Sequence, residues 1–359
     1  MIGSSIKFEG IGYQTKKHHM TTRLRLPNIC IRAVPDLSMF LLKELNLQGN
    51  RLTNLENLPL TLTSLNVSSN SLIGDGIYFP FPNLKSLLIN HNRVNVFDDD
   101  EFVMCFPALE TLDFSHNCLK HIGFVRNSSI IELNVSHNRI QLIAGLPRTL
   151  TKLIADTNEI TMIQSKLPPN LETLALSYNM LRYAGLPFNW PSALKELHLD
   201  HNNIERFPRK LPDSLEVLTL SENKLTELPS VLPASLQYFF ASGNRIRIVP
   251  NYKSHKKFAV FDIHDNCLTD IPKDMNAVVF EADNNWHDED HHECQSIIKK
   301  CWKRYVMTLR LRHLVRTTRV KEELFIVSMM PERWEQVDVI DPVWFRKHPS
   351  HNRTDHPKD

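Results

Sequence analysis

The chain has 359 residues, with 42 Lys and Arg against 40 Asp and Glu, so its net charge of +2 selects no class of partner. No apolar run reaches the roughly 18 residues of a membrane span, the first residues hold no signal-type apolar stretch, and the six cysteines lack the dense spacing of a disulfide scaffold. A cytoplasmic, intracellular setting is expected, and an apolar content of 42% suffices for an extensive core.

Residues 1–41 hold no clear repeat, and CIRAVPDLSMFLL, 30–42, is expected to form an N-terminal cap. From residue 42 onward one frame recurs, with Leu at eight, five and three places before an Asn. It ends at Asn50, Asn70, Asn92, Asn117, Asn138, Asn158, Asn179, Asn202, Asn223, Asn244, Asn266 and Asn285, at spacings of 19 to 25 residues. LKELNLQGN, LTSLNVSSN and LEVLTLSEN show it clearly, and substitutions such as Phe239, Phe258 and Phe261 stay apolar. The L-x-L core has period two, so its leucines face one side of a strand. A coil near 21 residues is long enough to return the chain and lay the next strand parallel to the last. The Asn amide, with donors and an acceptor, can satisfy backbone groups that water does not reach. One coil buries about five apolar side chains, roughly 7–15 kcal/mol of gross transfer energy, against an ordering cost on the order of 20–40 kcal/mol. Coils must therefore stack into a solenoid with special ends.

This pattern, LxxLxLxxNxL over about residues 42–286, resembles the leucine-rich repeat family. Pro59, Pro147, Pro168, Pro191, Pro212 and Pro233 lie eleven residues before a frame Asn, and Pro208, Pro229, Pro250 and Pro272 six after one. Proline at both places disfavours helix on the return path, and the form LPxSLxxLxLSxNxLxxLP is similar to the short repeats of bacterial effectors and large DNA viruses. The resemblance implies a horseshoe of the α/β superhelix class, with parallel strands on the concave face and a mostly extended or polyproline-like convex side. The longer coils, containing SLIGDGIYFPFPNL and NVFDDDEFVMCFPAL, are expected to bulge on the convex side, because their strand frames are intact.

In LKELHLDHNNIERFP, 194–208, His198, Asp200 and His201 look like a metal or proton-transfer cluster. Each occupies a place between frame posts, and His recurs just before Asn at His91, His116 and His137, so the three read as tenants of exposed positions. A binding surface for a protein segment of basic character, of unknown identity, is expected on the concave face from Tyr178 to His264. It includes His198, Asp200, His201, Tyr238, Phe240 and Asp262, Phe240 being an exposed aromatic of the kind that anchors interfaces.

After Asn285 the repeat stops. Residues 287–330 read as a helix with acidic residues in its early turns, and Ile297 to Lys321 carries nine Lys or Arg and no acid. Ile298, Trp302, Tyr305 and Leu309 share a face, so the segment is expected to form a helical C-terminal cap on the solenoid. Lys299, Lys300, Lys303, Arg304, Arg310 and Arg312 offer an alternative role, as an adaptor for nucleic acid, an acidic partner or a membrane surface. His287, His291, His292, Cys294 and Cys301 lack the paired spacing of structural zinc sites, and no metal or cofactor is expected. Residues 331–359 hold a short apolar island and an end expected to be disordered. An effector-like ubiquitin ligase is a further alternative, but only 74 residues follow Asn285, and Cys294-Gln-Ser and Cys301-Trp-Lys lack that family's Cys-x-Asp motif. The expected function is a non-enzymatic interaction scaffold.

Overall fold

The computed structural model describes residues 22–77, 79–95, 99–164, 166–208, 210–252, 255, 257–269, 275–283 and 285. Each frame supplies a strand that contains its second post, as at Glu44–Asn46, Thr173–Ala175, Glu196–His198 and Val217–Thr219. Among the described residues, thirteen strands form one parallel sheet in strict chain order, from Arg23–Arg25 to Ala277–Glu281. Such order requires one full coil between neighbours, which is a solenoid. The register keeps the inward posts level: Leu174 lies opposite Leu197, Leu197 opposite Leu218, Leu218 opposite Phe239, and Phe239 opposite Phe261. Slipping by one residue would turn every post to the wrong face. The strand Arg23–Arg25 precedes the first recognisable frame and places Leu24 opposite Leu45. Counting on from that register puts Ile29 level with Asn50, so the amide that marks every later coil is missing from this one.

The asparagines form a continuous internal ladder. Asn202 Nδ2 donates to the carbonyls of Leu199 and Asp200 in its own coil, at 3.1 and 3.2 Å, and to that of Leu176 in the preceding coil at 2.9 Å. Its Oδ1 accepts from the preceding coil's Leu181 N at 2.9 Å. The same connections recur from Asn50, which reaches Leu26 and Ile31, to Asn285, which reaches Ile263 and Leu268. One amide thus serves two coils at the turn where the ladder of strand hydrogen bonds stops, a place where unpaired groups would be costly.

Proline acts differently on the two sides of the frame. The carbonyls of Pro168, Pro191, Pro212 and Pro233 each accept from the N–H of the first frame leucine, three residues on, at 3.0–3.2 Å. A tight turn therefore precedes each of these strands, and proline at its first position sacrifices no needed donor. The return path is mostly irregular and extended, as expected. Among the described residues its regular pieces are 3₁₀ turns at Gly74–Ile77, Gly123–Val125 and Tyr183–Gly185, a strand pair Leu142–Ile143 with Met162–Ile163, and one helix, Asp99–Cys105. The first turn and the helix lie in the two long coils, where the extra residues were expected to bulge. The helix packs Phe102 against Phe106 and Phe124, at ring separations of 5.2 and 5.0 Å. Gly185 is required by close approach: a Cβ there would sit 2.0 Å from the Thr161 carbonyl oxygen of the coil before. The core is a single run of stacked aliphatic posts, shifting to Phe239, Phe258 and Phe261 near its C-terminal end. No helix among the described residues is long and apolar enough to cross a membrane.

Candidate functional site on the sheet face

Beside the strand residue six before each Asn, three further places per coil build the outer surface of the sheet, at four, two and one residues before it. An Asn or Asp at the first place usually folds back on its own coil. The Oδ1 atoms of Asn46, Asn66, Asp113, Asn134 and Asp262 accept from the backbone N–H two residues on, at 2.9–3.1 Å. Where that place is Ala175 or Thr219, the acceptor comes from the coil before. Asp156 Oδ1 takes the Ser177 N–H at 2.8 Å, and Asp200 Oδ1 takes the Ser221 N–H at 2.9 Å.

This overturns the expectation that Asp200 is exposed. It is 5% exposed, and its Oδ2 accepts the Thr219 hydroxyl at 2.5 Å and the Ser177 hydroxyl at 3.4 Å. Burial pushes its carboxyl above the usual range, against the opposing pull of Thr219, His198, the Ser221 N–H and His201. The chain leaves the strand after the first place, so the period-two alternation ends there. The second place then lies between coils, as the burial of Ser68, Ser177 and Ser221 also shows. Phe240 and Asp262, likewise expected on an open face, are buried at 3% and 0%. They are register partners, with Thr219 on the other side of Phe240 buried at 2%. Strands about 4.8 Å apart let such a row of side chains screen one another from water.

The third place is where surface chemistry gathers. His91, His116, His137, Thr157, Tyr178, His201, Glu222 and Asp265 all adopt left-handed backbone, with φ between 52° and 58°. That conformation costs a side chain something and turns the chain out of the strand. Each N–H is held by the next coil's carbonyl, as Tyr178 N donates to Asp200 O and His201 N to Ser221 O, both at 2.8 Å. Identical geometry in successive coils stacks the rings. His91, His116 and His137 lie at centroid separations of 4.0 Å, and Tyr178 lies 4.1 Å from His201. Burial and the neighbouring His137 and His91 hold the His116 imidazole below its ordinary value.

Of the expected binding residues, Tyr178 is 48% exposed, and His198, His201 and Tyr238 are half-buried on the same face. The His198 side chain is placed by Thr219 Oγ1, 3.4 Å from its Nδ1, and by the Glu196 carboxylate at 4.0 Å. At the C-terminal end, His264 Nδ1 lies 2.6 Å from Asp262 Oδ1, and its Nε2 lies 3.5 Å from Asp265 Oδ2. Burial alone would lower the His264 imidazole, but the hydrogen bond and charge of Asp262 raise it, with Asp265 and Glu281 assisting. Glu281, one of the acidic residues that the columns gather at this end of the face, closes this group. Lys299, Lys300, Lys303, Arg304, Arg310 and Arg312, the expected C-terminal helix and the terminal island all lie outside the described residues.

Comparison with known proteins agrees with this geometry. Two family models described as leucine rich repeat match residues 82–140 and 59–77. Human lumican is 29% identical over 174 residues, 46% of this chain and 45% of that protein, so the chain spans about half the length of such a relative. Rabbit lumican is 35% identical over 174 residues, covering 46% of this chain and 80% of that one. Among solved structures, a leucine-rich repeat protein of Leptospira interrogans superposes with a TM-score of 0.61 over 72% of this chain and 71% of its own, at 24% identity. Asparagine ladder, parallel register and these matches agree: the chain belongs to the leucine-rich repeat family.

Proposed function

We propose that the protein is a non-enzymatic scaffold that holds a protein segment along the concave face, centred on Tyr178, His198, His201 and Tyr238. The observation that carries this reading is the stacked Tyr178–His201 pair, fixed by left-handed backbone, with Tyr178 exposed and the half-buried His198 and Tyr238 on the same face. Aromatic groups held rigid before binding lose little conformational freedom on contact, and they dominate the energetics of many interfaces. Exposed Glu222 and half-buried Glu196 add negative charge nearby, which favours a segment with basic residues. Asp200, whose two oxygens are already committed to Thr219, Ser221 and Ser177, serves the packing of the coils in this reading.

The test is retention of proteins from an extract of the source cells on immobilised full-length chain, beside the combined Tyr178→Ala, His198→Ala and Tyr238→Ala variant. Proteins retained by the parent should be lost from the variant at least about tenfold, as expected for two or more hot-spot contacts, while the melting temperature stays near that of the parent. Equal retention by both would remove this face as the binding site.

A further inference from the structure

We propose that Asp262, His264 and Glu281 form a binding site for one divalent transition-metal ion of the zinc kind at the C-terminal end of the sheet. The three offer one ligand atom each, and these atoms lie within 4.8 Å of one another. They are separated by two and seventeen residues in sequence, so only stacking brings Glu281 to the others. Asp262 and Glu281 are register partners on neighbouring strands, Phe258–Asp262 and Ala277–Glu281. The backbone is held as well: Ala241 N donates to Asp262 O, and Ile263 N to Glu281 O, both at 2.8 Å.

The independent observation is the second carboxylate oxygen of Asp262. Asp262 is fully buried, and its Oδ2 has no hydrogen-bond partner among the described residues. Comparable carboxylates on this face spend both oxygens. Asp113 uses Oδ1 for Ser115 and Oδ2 for Asn90 Nδ2 at 2.8 Å, and Asp200 uses Oδ1 for Ser221 and Oδ2 for Thr219. A buried oxygen left bare costs free energy, and a carboxylate oxygen of this same Asp262 lies within 4.8 Å of ligand atoms of both His264 and Glu281. Two ligands of one zinc ion, each 2.0–2.2 Å from it, span up to about 4 Å, so an adjustment of roughly an ångström at the side-chain ends closes the set. One imidazole with two carboxylates suits zinc or manganese better than calcium, which prefers an all-oxygen shell. Three protein ligands leave a coordination position open. The site lies beyond the Tyr178–Tyr238 surface and does not depend on it.

Full-length protein stripped with chelator and titrated with Zn²⁺ by calorimetry tests this directly. One equivalent should be lost, or weakened at least about tenfold, in His264→Gln and in Glu281→Gln. Both replace partly accessible side chains, so their melting temperatures without metal should stay near the parent's even if Asp262→Asn folds poorly. Co²⁺ added to the parent should give visible ligand-field bands that these variants lose, without the thiolate charge-transfer absorption that ligation by Cys294 or Cys301 would produce. The Tyr178, His198 and Tyr238 variant should bind Zn²⁺ like the parent. No Zn²⁺ uptake, uptake identical in parent and both variants, or binding of Ca²⁺ alone would overturn the site.

Discussion

Asn202→Ala is expected to destabilise the protein by about 2–4 kcal/mol, because it strands one buried backbone N–H at roughly 1–3 kcal/mol and removes an inter-coil hydrogen bond worth about 1 kcal/mol. Leu181 N loses its acceptor, and the Leu176 carbonyl loses the donor that joins the two coils while keeping Asn179 Nδ2 of its own coil. The amide is 7% exposed, so water does not readily replace it. Asn202→Asp should fare little better at neutral pH, since it keeps the acceptor and loses the donors. The neighbouring Asn203→Ala provides the control, with an expected change within about 0.5 kcal/mol for a partly exposed surface site. Urea unfolding of the three variants measures the difference. An Asn202→Ala protein as stable as Asn203→Ala would show that the ladder does not hold the coils.

The second large effect separates architecture from chemistry at Asp200. Asp200→Ala should cost about 1–3 kcal/mol by leaving the Ser221 N–H and the Thr219 hydroxyl without their acceptor. Asp200→Asn retains an oxygen for Ser221 N and removes the buried charge, so it should stay within about 1 kcal/mol of the parent at neutral pH. The folded-state carboxyl lies above its unfolded value of 3.8. The folded form therefore binds the proton more readily than the unfolded form, and the charge weighs against folding at neutral pH. That disadvantage shrinks as pH falls through the folded value and is gone below 3.8. Asp200→Asn should thus gain most relative to the parent near neutrality and lose this advantage in acid. Chemical denaturation of both proteins across that range checks it, and a constant difference would mean that Asp200 does not titrate as a buried group.

Much of this fold is legible without coordinates. The three aliphatic posts and the Asn specify strand, inward face and turn, because each residue type has one suitable use at that spacing. Long coils announce themselves by extra length between intact frames, and the helix Asp99–Cys105 takes up that length in one of them. The first strand does not, because Ile29 is level with the diagnostic amide of the next coil.

The surface is less legible, for a physical reason. Alternation fails at Asp200 because the strand Glu196–His198 ends two residues earlier. A signal is present in the sequence: Ser68, Ser115, Ser136, Ser177, Ser221 and Ser242 occupy the same place in their coils. A free surface column would show a wider choice, whereas a gap between coils admits small hydroxyls and short carboxylates. The burial of Phe240 escapes sequence reasoning because, on this face, it depends on what lies on the neighbouring strands, which a single coil does not display. Laying the coils in columns places Asp262, His264 and Glu281 on one acidic part of the face, but their close approach shows only in the structure, where one coil is packed on the next.

Functional specificity, on this account, comes from irregular residues displayed on a regular frame. Left-handed backbone before each Asn fixes the direction of whatever side chain stands there, so a change from His to Tyr or Glu rewrites the surface without disturbing the coil. Tyr178 and His201 show one outcome, stacked rings, and Glu222 another, an exposed charge.

Amide hydrogen exchange on the intact protein tests the frame itself. Leu181, Ile204, Leu225 and Ile246 each donate a backbone N–H to the asparagine of the following coil, at 2.9–3.0 Å. These hydrogens should exchange as slowly as those of the sheet, through cooperative opening. Exchange at the rate of exposed loops would mean that the asparagines do not bind the coils together, and the stacked solenoid would have to be abandoned.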